Sequence, residues 1–320
     1  MGIFWNKEIK LKQPGISEID RCLSIIRDDN CERYAEHSAA YTWITENMNI
    51  FRAVQPQDKK VLAVCAGGGD SSLFFRAAGA QSVDAFDVSL FPKYAAELKY
   101  AALRRFNREQ FLKFYRIDDF DFAQESGQLF APSGYRKLRN DLSADARHLF
   151  DKCAKSSDLC SKILSPFGKY RLEENEYLQD SDGYEILRRA AMDGNPNFIW
   201  SDLNELPHHL SDSYDIIYLS NIHALMCHDT KRKVAELRAL KRHLNPGGII
   251  MANYFYSVVE NSWSRDFAKS IRIYGDMNGK MGQYAPYKNE RYGMMEEFMR
   301  LFLDMRAYDI QVILDKENLK

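Results

Sequence analysis

The sequence predicts an α/β fold with a doubly wound, mostly parallel sheet, and three stretches predict it. Val61–Cys65 is a short apolar run leading into Gly67-Gly68-Gly69-Asp70, and Val83-Asp84-Ala85-Phe86-Asp87 is a second strand that ends in an acid. Tyr214–Asn221 is a near-continuous apolar run of the kind buried on both faces of a parallel sheet. A buried strand, a glycine turn, a helix and a second strand carrying a terminal carboxylate is how a nucleoside-binding domain begins.

The remaining elements follow in chain order. Ile16, Ile19, Leu23 and Ile26 stand at helical spacing, and a second amphipathic stretch runs from Ala39 to Val54. Residues 1–55 therefore read as an N-terminal helical extension and residues 56–320 as the nucleoside-binding domain. Gln55–Lys60 is a polar turn before the first strand. After Asp87, Leu90–Phe106 reads as a helix with Ser89 as N-cap and Pro92 in its first turn, where proline is tolerated. Between about residues 107 and 196 there are helical patterns and turn signals but no strand signature. That length exceeds ordinary loops, so the stretch reads as a structured helical insertion. The alternation resumes with Asn197–Leu203, then Tyr214–Asn221, then a helix over Lys231–Leu244 closed by Asn245-Pro246-Gly247-Gly248. Ile249–Tyr256 continues the sheet.

The glycine pattern discriminates among ligands. A dinucleotide fingerprint needs a third glycine three residues on, whereas Leu73 stands three past Asp70 and no glycine follows until Gly79. No Gly-Lys-Ser/Thr follows to hold phosphates, which excludes a P-loop. A ligand with a ribose and no phosphate remains, and S-adenosylmethionine fits best; the alternative is a tight turn with no ligand. In open α/β sheets ligands bind at the carboxyl ends of the strands. The candidate cofactor residues are accordingly Ala66, Gly67, Gly68, Gly69 and Asp70, Asp87 with Val88, Asp202 with Leu203, and Ser220 with Asn221. Asp87 suits the ribose diol, because a carboxylate accepts two hydrogen bonds; its other reading is a turn acid. Asp202 stands where the adenine amino group is expected and Leu203 offers a backbone amide, although Asp-Leu-Asn also reads as a turn. Ser220-Asn221 serves either the methionine end of the cofactor or the capping of the next helix. His223 and Tyr254, just beyond strand ends, are the candidate bases for an acceptor proton. Tyr254, Phe255, Tyr256, Tyr284, Tyr287, Tyr292 and Arg291 wall an acceptor pocket or pack the core.

Composition sets outer limits. The 45% hydrophobic and 13% aromatic content supports a substantial core. Lys+Arg 44 against Asp+Glu 45 gives a net charge of -1, so no polyanion is implied as an obligate partner. The basic run Lys231-Arg232-Lys233 reads as a solvated helix face. Six cysteines without a C-x-x-C pair read as reduced thiols of a cytoplasmic protein, with Cys65 a packed strand thiol. His223 and Cys227 lack further ligands at zinc spacing, so no metal is expected. Met1–Lys7 is too briefly apolar for a signal peptide, Asn6 stands where a myristoylation motif wants Ser or Thr, and no run approaches the roughly 18 to 20 apolar residues of a membrane span. The expectation is a cytoplasmic protein with no integral membrane segment; oligomeric state stays open.

One segment narrows the chemistry. Glu97-Leu98-Lys99-Tyr100-Ala101-Ala102-Leu103-Arg104, continuing through Glu109, Phe111, Leu112 and Phe114, resembles the E-L-K-x-A-A-x-R helix of the betaine-lipid-type 3-amino-3-carboxypropyltransferases. The likeness continues at Tyr135–Arg147 and at the L-S-N-I strand end, Leu219-Ser220-Asn221-Ile222. This resemblance implies a class I methyltransferase-like Rossmann fold and transfer of the 3-amino-3-carboxypropyl group of S-adenosylmethionine to a nucleophilic acceptor, leaving 5′-methylthioadenosine. Founding members of that family act on diacylglycerol. Here Ala224, preceded by His223, stands where the family usually has Asp, so the lipid acceptor does not carry over. A small-molecule or lipid acceptor and no nucleic acid is the expectation. Methyl transfer, leaving S-adenosylhomocysteine, and non-catalytic S-adenosylmethionine binding are the other open readings.

Overall fold

The computed structural model describes residues 15–27, 37–44, 51, 54–117, 126–165, 175–220, 222, 230–252, 287–288, 308–309 and 312–315. Its strands are β1 (Ala40–Tyr41), β2 (Lys60–Val64), β3 (Ser82–Asp87), β4 (Leu164–Ser165), β5 (Asn197–Trp200), β6 (Tyr214–Tyr218), β7 (Leu244–Ala252), β8 (Tyr287–Lys288), β9 (Tyr308–Asp309) and β10 (Val312–Asp315). Six of them form the main sheet in the order β10-β7-β6-β2-β3-β5. The five from β5 to β7 are parallel, and β10 pairs antiparallel with β7. The chain leaves β2 toward β3 on one side and later places β6 on the other. That reversal is the topological switch of a doubly wound sheet.

The apolar runs form strands because the sheet is covered on both faces. Val61, Leu62, Ala63, Ile216, Ile217 and Tyr218 are fully buried, each large one contributing about 1.5–3 kcal/mol. Phe51, Phe75 and Tyr218 meet edge to face on one side, with ring centroids 4.8–5.6 Å apart. Helices Ala66–Ala77 and Phe91–Arg105 pack against each other, and helix Ser181–Met192 of the long helical stretch packs on both.

That stretch, from Arg108 to Met192, holds helices Arg108–Phe114, Pro132–Leu138, Ala144–Cys153, Ser157–Ile163, Glu176–Gln179 and Ser181–Met192. Short polar residues start several of them. Asn107 and Gln110 form a capping box, and Ser143, Ser156 and Asp180 accept from Ala146, Leu159 and Gly183 N–H. Phe106, Phe114, Phe130, Tyr135 and Phe150 form a continuous aromatic core.

The structure departs from the sequence reading in four places. Ala40–Tyr41, expected within a helix, is strand β1 and pairs parallel with β4, itself a strand inside the expected all-helical stretch. The helix expected over Lys231–Leu244 spans Thr230–Lys241, because Leu244 pairs with Tyr214 and already belongs to β7. Asn245–Gly248 then bulges out between the Tyr214–Leu244 and Ile216–Ile249 pairs, with Gly247 at φ 71°. Finally, helix Phe91–Arg105 starts after Leu90, not Ser89. The Ser89 hydroxyl still accepts from Phe91 N–H at 3.3 Å, and it donates to the Ser38 carbonyl at 2.6 Å.

Candidate functional site

The carboxyl ends of β2, β3, β5 and β6 lie side by side. Val64 pairs with Phe86, Asp87 with Trp200 and Ala63 with Tyr218. Beyond the ladders, Cys65 N–H donates to Phe86 and Ser201 N–H to Asp87 at 2.8 and 3.0 Å. The segments Ala66–Asp70, Asp87–Val88, Ser201–Leu203 and Leu219–Ser220 therefore emerge along one edge. The two central strands, β2 and β6, are the neighbours at the switch point, where such folds hold their ligands.

Backbone conformation marks both central strand ends. Gly67, Gly68 and Gly69 have φ of 59°, 57° and 91°, a left-handed run inside the start of the Ala66–Ala77 helix that side-chain-bearing residues avoid. Space demands glycine as well: a Cβ on Gly67 would stand 2.3 Å from Ile44 N, and one on Gly69 2.5 Å from Ala96 Cβ. The atoms that crowd these two glycines are thus protein atoms, whereas the sequence suggested that a ligand would. At the end of β6, Ser220 is 2% exposed at φ 50°. A buried non-glycine residue in this region costs about 1–3 kcal/mol and such residues gather at functional sites.

Asp70 and Asp87 occupy opposite kinds of environment. Asp70 is fully buried against Lys99, and its second oxygen accepts Ile44 N–H at 2.9 Å. Burial pushes Asp70 up and Lys99 down from their ordinary values, and the attraction of each for the other opposes it. Asp87 is half-buried. Burial pushes its carboxyl up to about 7, even though Ser89 N–H, at 2.9 Å, and Val88 N–H donate to it. Near neutrality this group exchanges a proton with little cost. Val88 is held by its carbonyl, which accepts from Trp200 Nε1 at 2.9 Å.

Asp202 caps a turn: its Oδ1 accepts Asn204 and Glu205 N–H at 2.8 and 2.9 Å, and its carbonyl accepts Leu206 N–H. Leu203 is buried beside it. Cys65 lies behind the turn and, with Lys93, Ala96, Glu97 and Phe198, lines a small cavity under helix Phe91–Arg105. Burial, first, and then the charge of Asp87 push its thiol well above the ordinary value, which leaves it protonated and unreactive. Asn221, His223 and Tyr254 lie outside the described residues, as do Phe255, Tyr256, Tyr284, Arg291 and Tyr292. Among the described residues no cluster of His, Cys, Asp and Glu suits a metal ion, and no helix is long and apolar enough to cross a membrane.

Sequence reasoning missed the segment Tyr41–Ile44, which lies on the glycine turn, and Lys99, which holds it there. The signal was present. Lys99 shares a helix face with Ala95, Ala96, Ala102 and Leu103, three and four residues away, and an ammonium buried on such a face needs partners.

No protein-family model and no curated protein matches the chain. Among solved structures it is similar to a Streptococcus mutans protein assigned as a SAM-dependent methyltransferase, at 12% identity and a TM-score of 0.32, over 70% of this chain and 37% of that one. It is also similar to the rRNA methyltransferase aviRa from Streptomyces viridochromogenes, at 12% identity and TM-score 0.34, over 71% and 80% of the two chains. A third is the O-methyltransferase from Bacillus cereus in complex with SAH, at 10% identity and TM-score 0.30, over 82% and 81%. The chain spans little more than a third of the length of the Streptococcus mutans protein. Strand order and direction make this chain a doubly wound, Rossmann-like α/β protein, with Gly67–Gly69 and Ser220 at the ends of the two strands that flank the switch point and Asp87 at the end of the next strand, β3.

Proposed function

We propose that the protein is an S-adenosylmethionine-dependent transferase that moves the 3-amino-3-carboxypropyl group to a small-molecule or lipid nucleophile. One observation carries the cofactor reading: the glycine turn at the end of β2, beside the switch point, and the desolvated carboxyl of Asp87 at the end of β3 stand on neighbouring strands. The donor set suits this ligand. Asp87, once ionised, is an acceptor-only group for a ribose diol, and the turn has neither the third glycine of a dinucleotide site nor the lysine of a P-loop.

Bound S-adenosylmethionine supplies a sulfonium with electrophilic carbons; attack at the methionine γ-carbon breaks its bond to sulfur and leaves 5′-methylthioadenosine. The residues of this chain bind and orient. Asp87 would hold the ribose, the turn Gly67–Gly69 would border the adenosine, and the Leu203 amide would donate to the adenine. Ser220, at the end of the adjacent strand β6, would serve the methionine end of the cofactor. Orientation of this kind supplies up to roughly 7–11 kcal/mol of a group transfer without a covalent intermediate. His223 and Tyr254 remain the proposed acceptors of the nucleophile's proton. The transferred group is read from the resemblance of the Glu97–Arg104 segment to the aminocarboxypropyltransferases.

Chromatography of nucleosides after incubation with S-adenosylmethionine and candidate acceptors tests the proposal. Acceptor-dependent 5′-methylthioadenosine is expected. S-adenosylhomocysteine in its place assigns methyl transfer, and turnover of neither with any acceptor, beside tight binding, assigns a binding protein.

A further inference from the structure

The buried ion pair under the glycine turn makes none of the ligand contacts proposed above. Two charges in such a place are seldom there for stability alone, since an apolar pair of similar volume is often as stable or more so. What distinguishes this pair is what it holds. The Lys99 ammonium has three hydrogens, and they are matched by the Thr42 carbonyl at 2.7 Å, the Gly67 carbonyl at 2.6 Å and the Asp70 carboxylate. The Trp43 ring lies 4.2 Å from the ammonium. Asp70 in turn accepts Ile44 N–H with its other oxygen. Thr42 and Ile44 belong to one strap, which the pair therefore grips at two points while gripping the turn at Gly67.

The same strap is tied at its other end to the loop after Asp87, where Ser89 donates to the Ser38 carbonyl. It therefore links the segments that follow β2 and β3. No cis peptide occurs among the described residues, so the Gly67 carbonyl and the Gly68 N–H point in opposite directions. Drawing the carbonyl to Lys99 turns that N–H away from it and fixes the peptide plane.

We infer that Lys99 is a positioning residue: with Asp70 as counter-ion it clamps the Thr42–Ile44 strap onto the glycine turn and sets the Gly67–Gly68 peptide on which cofactor affinity depends. The inference rests on the adenosine-binding reading of that turn.

The test uses the full chain, as Lys99→Met and as Lys99→Met/Asp70→Asn, with two readouts. Hydrogen–deuterium exchange without ligand is expected to rise together at 38–44 and 66–70 in both variants while 214–218 stays protected. Calorimetric titration with S-adenosylmethionine is expected to show affinity at least tenfold weaker in both. Removing the stranded Asp70 charge should return the double variant's thermal midpoint toward that of the unmutated protein without returning affinity. The double variant also carries the test if Lys99→Met alone does not fold. Recovery of affinity along with stability means that Lys99 is merely structural and overturns the inference. So does unchanged exchange at 38–44. No binding by the unmutated protein overturns the cofactor reading and the inference with it, whereas binding that survives in the double variant within twofold overturns the inference alone.

Discussion

Asp87→Asn should make the folded protein more stable and the cofactor complex weaker, and the pH dependence of the first effect can be worked from the structure. Burial raises the carboxyl from 3.8 to about 7. At about 1.4 kcal/mol per unit this limits the effect to roughly 4 kcal/mol, and the half-buried side chain, partly screened by water, reduces it to about 2 kcal/mol. The folded carboxyl keeps its proton up to about pH 7 while the unfolded one loses it near 3.8. Between those values the folded chain binds more protons, so stability falls as pH rises from about 4 to 7 and stays lower above. Asparagine does not titrate. Urea midpoints should therefore show little difference between variant and parent near pH 4.5 and a variant more stable by about 2 kcal/mol at pH 8. At that same pH, affinity for S-adenosylmethionine should fall by about 1–3 kcal/mol, because an amide nitrogen replaces a charged acceptor. A stability difference that does not change with pH refutes the desolvation argument. Unchanged affinity in a folded variant refutes the ribose assignment.

Three other substitutions probe the same edge. Gly69→Ala puts a Cβ 2.5 Å from that of Ala96 at φ 91°, so the urea midpoint should drop by an amount equivalent to at least about 2 kcal/mol; a neutral result would show that the turn is built differently. Ser220→Gly removes a left-handed serine at φ 50° and should raise stability by about 0.5–1 kcal/mol in thermal melts, while weaker cofactor binding in the same variant would separate strain from use. Trp200→Phe deletes the 2.9 Å bond from Nε1 to the Val88 carbonyl and should cost about 1 kcal/mol in the same melts; no loss would show that Val88 is held by other contacts.

Legibility in the sequence followed the source of each signal. The strands of the parallel sheet were readable because two covered faces favour runs dominated by apolar residues, and β2, β3, β5 and β6 fall where Val61, Val83, Phe198 and Tyr214 indicated. Strand β1 was not, since two residues carry no period and Ala40–Tyr41 is extended only because β4 and the Lys99–Asp70 pair engage its backbone and the next residues. The carboxyl-terminal strand β10 was equally silent, being four residues that join the sheet edge by antiparallel pairing. At the site, residue types and strand ends pointed to Gly67–Gly69, Asp87 and Ser220. What they did not reveal was that Asp70 is already occupied by Lys99 and Ile44, and Asp202 by its own turn. Contacts between residues far apart in the chain decide how a polar group is used, and one sequence does not display them.

The central claim is that the crevice between Gly67 and Asp87 takes an adenosine that carries a sulfonium and no phosphate chain. Calorimetric titration of the unmutated protein with S-adenosylmethionine, and in parallel with NAD and ATP, tests it most directly. Saturable one-to-one binding of S-adenosylmethionine, displaced by S-adenosylhomocysteine and at least fivefold weaker in Asp87→Asn, is the predicted result. Binding of NAD or ATP in preference to S-adenosylmethionine, or no binding of S-adenosylmethionine at all, would contradict it.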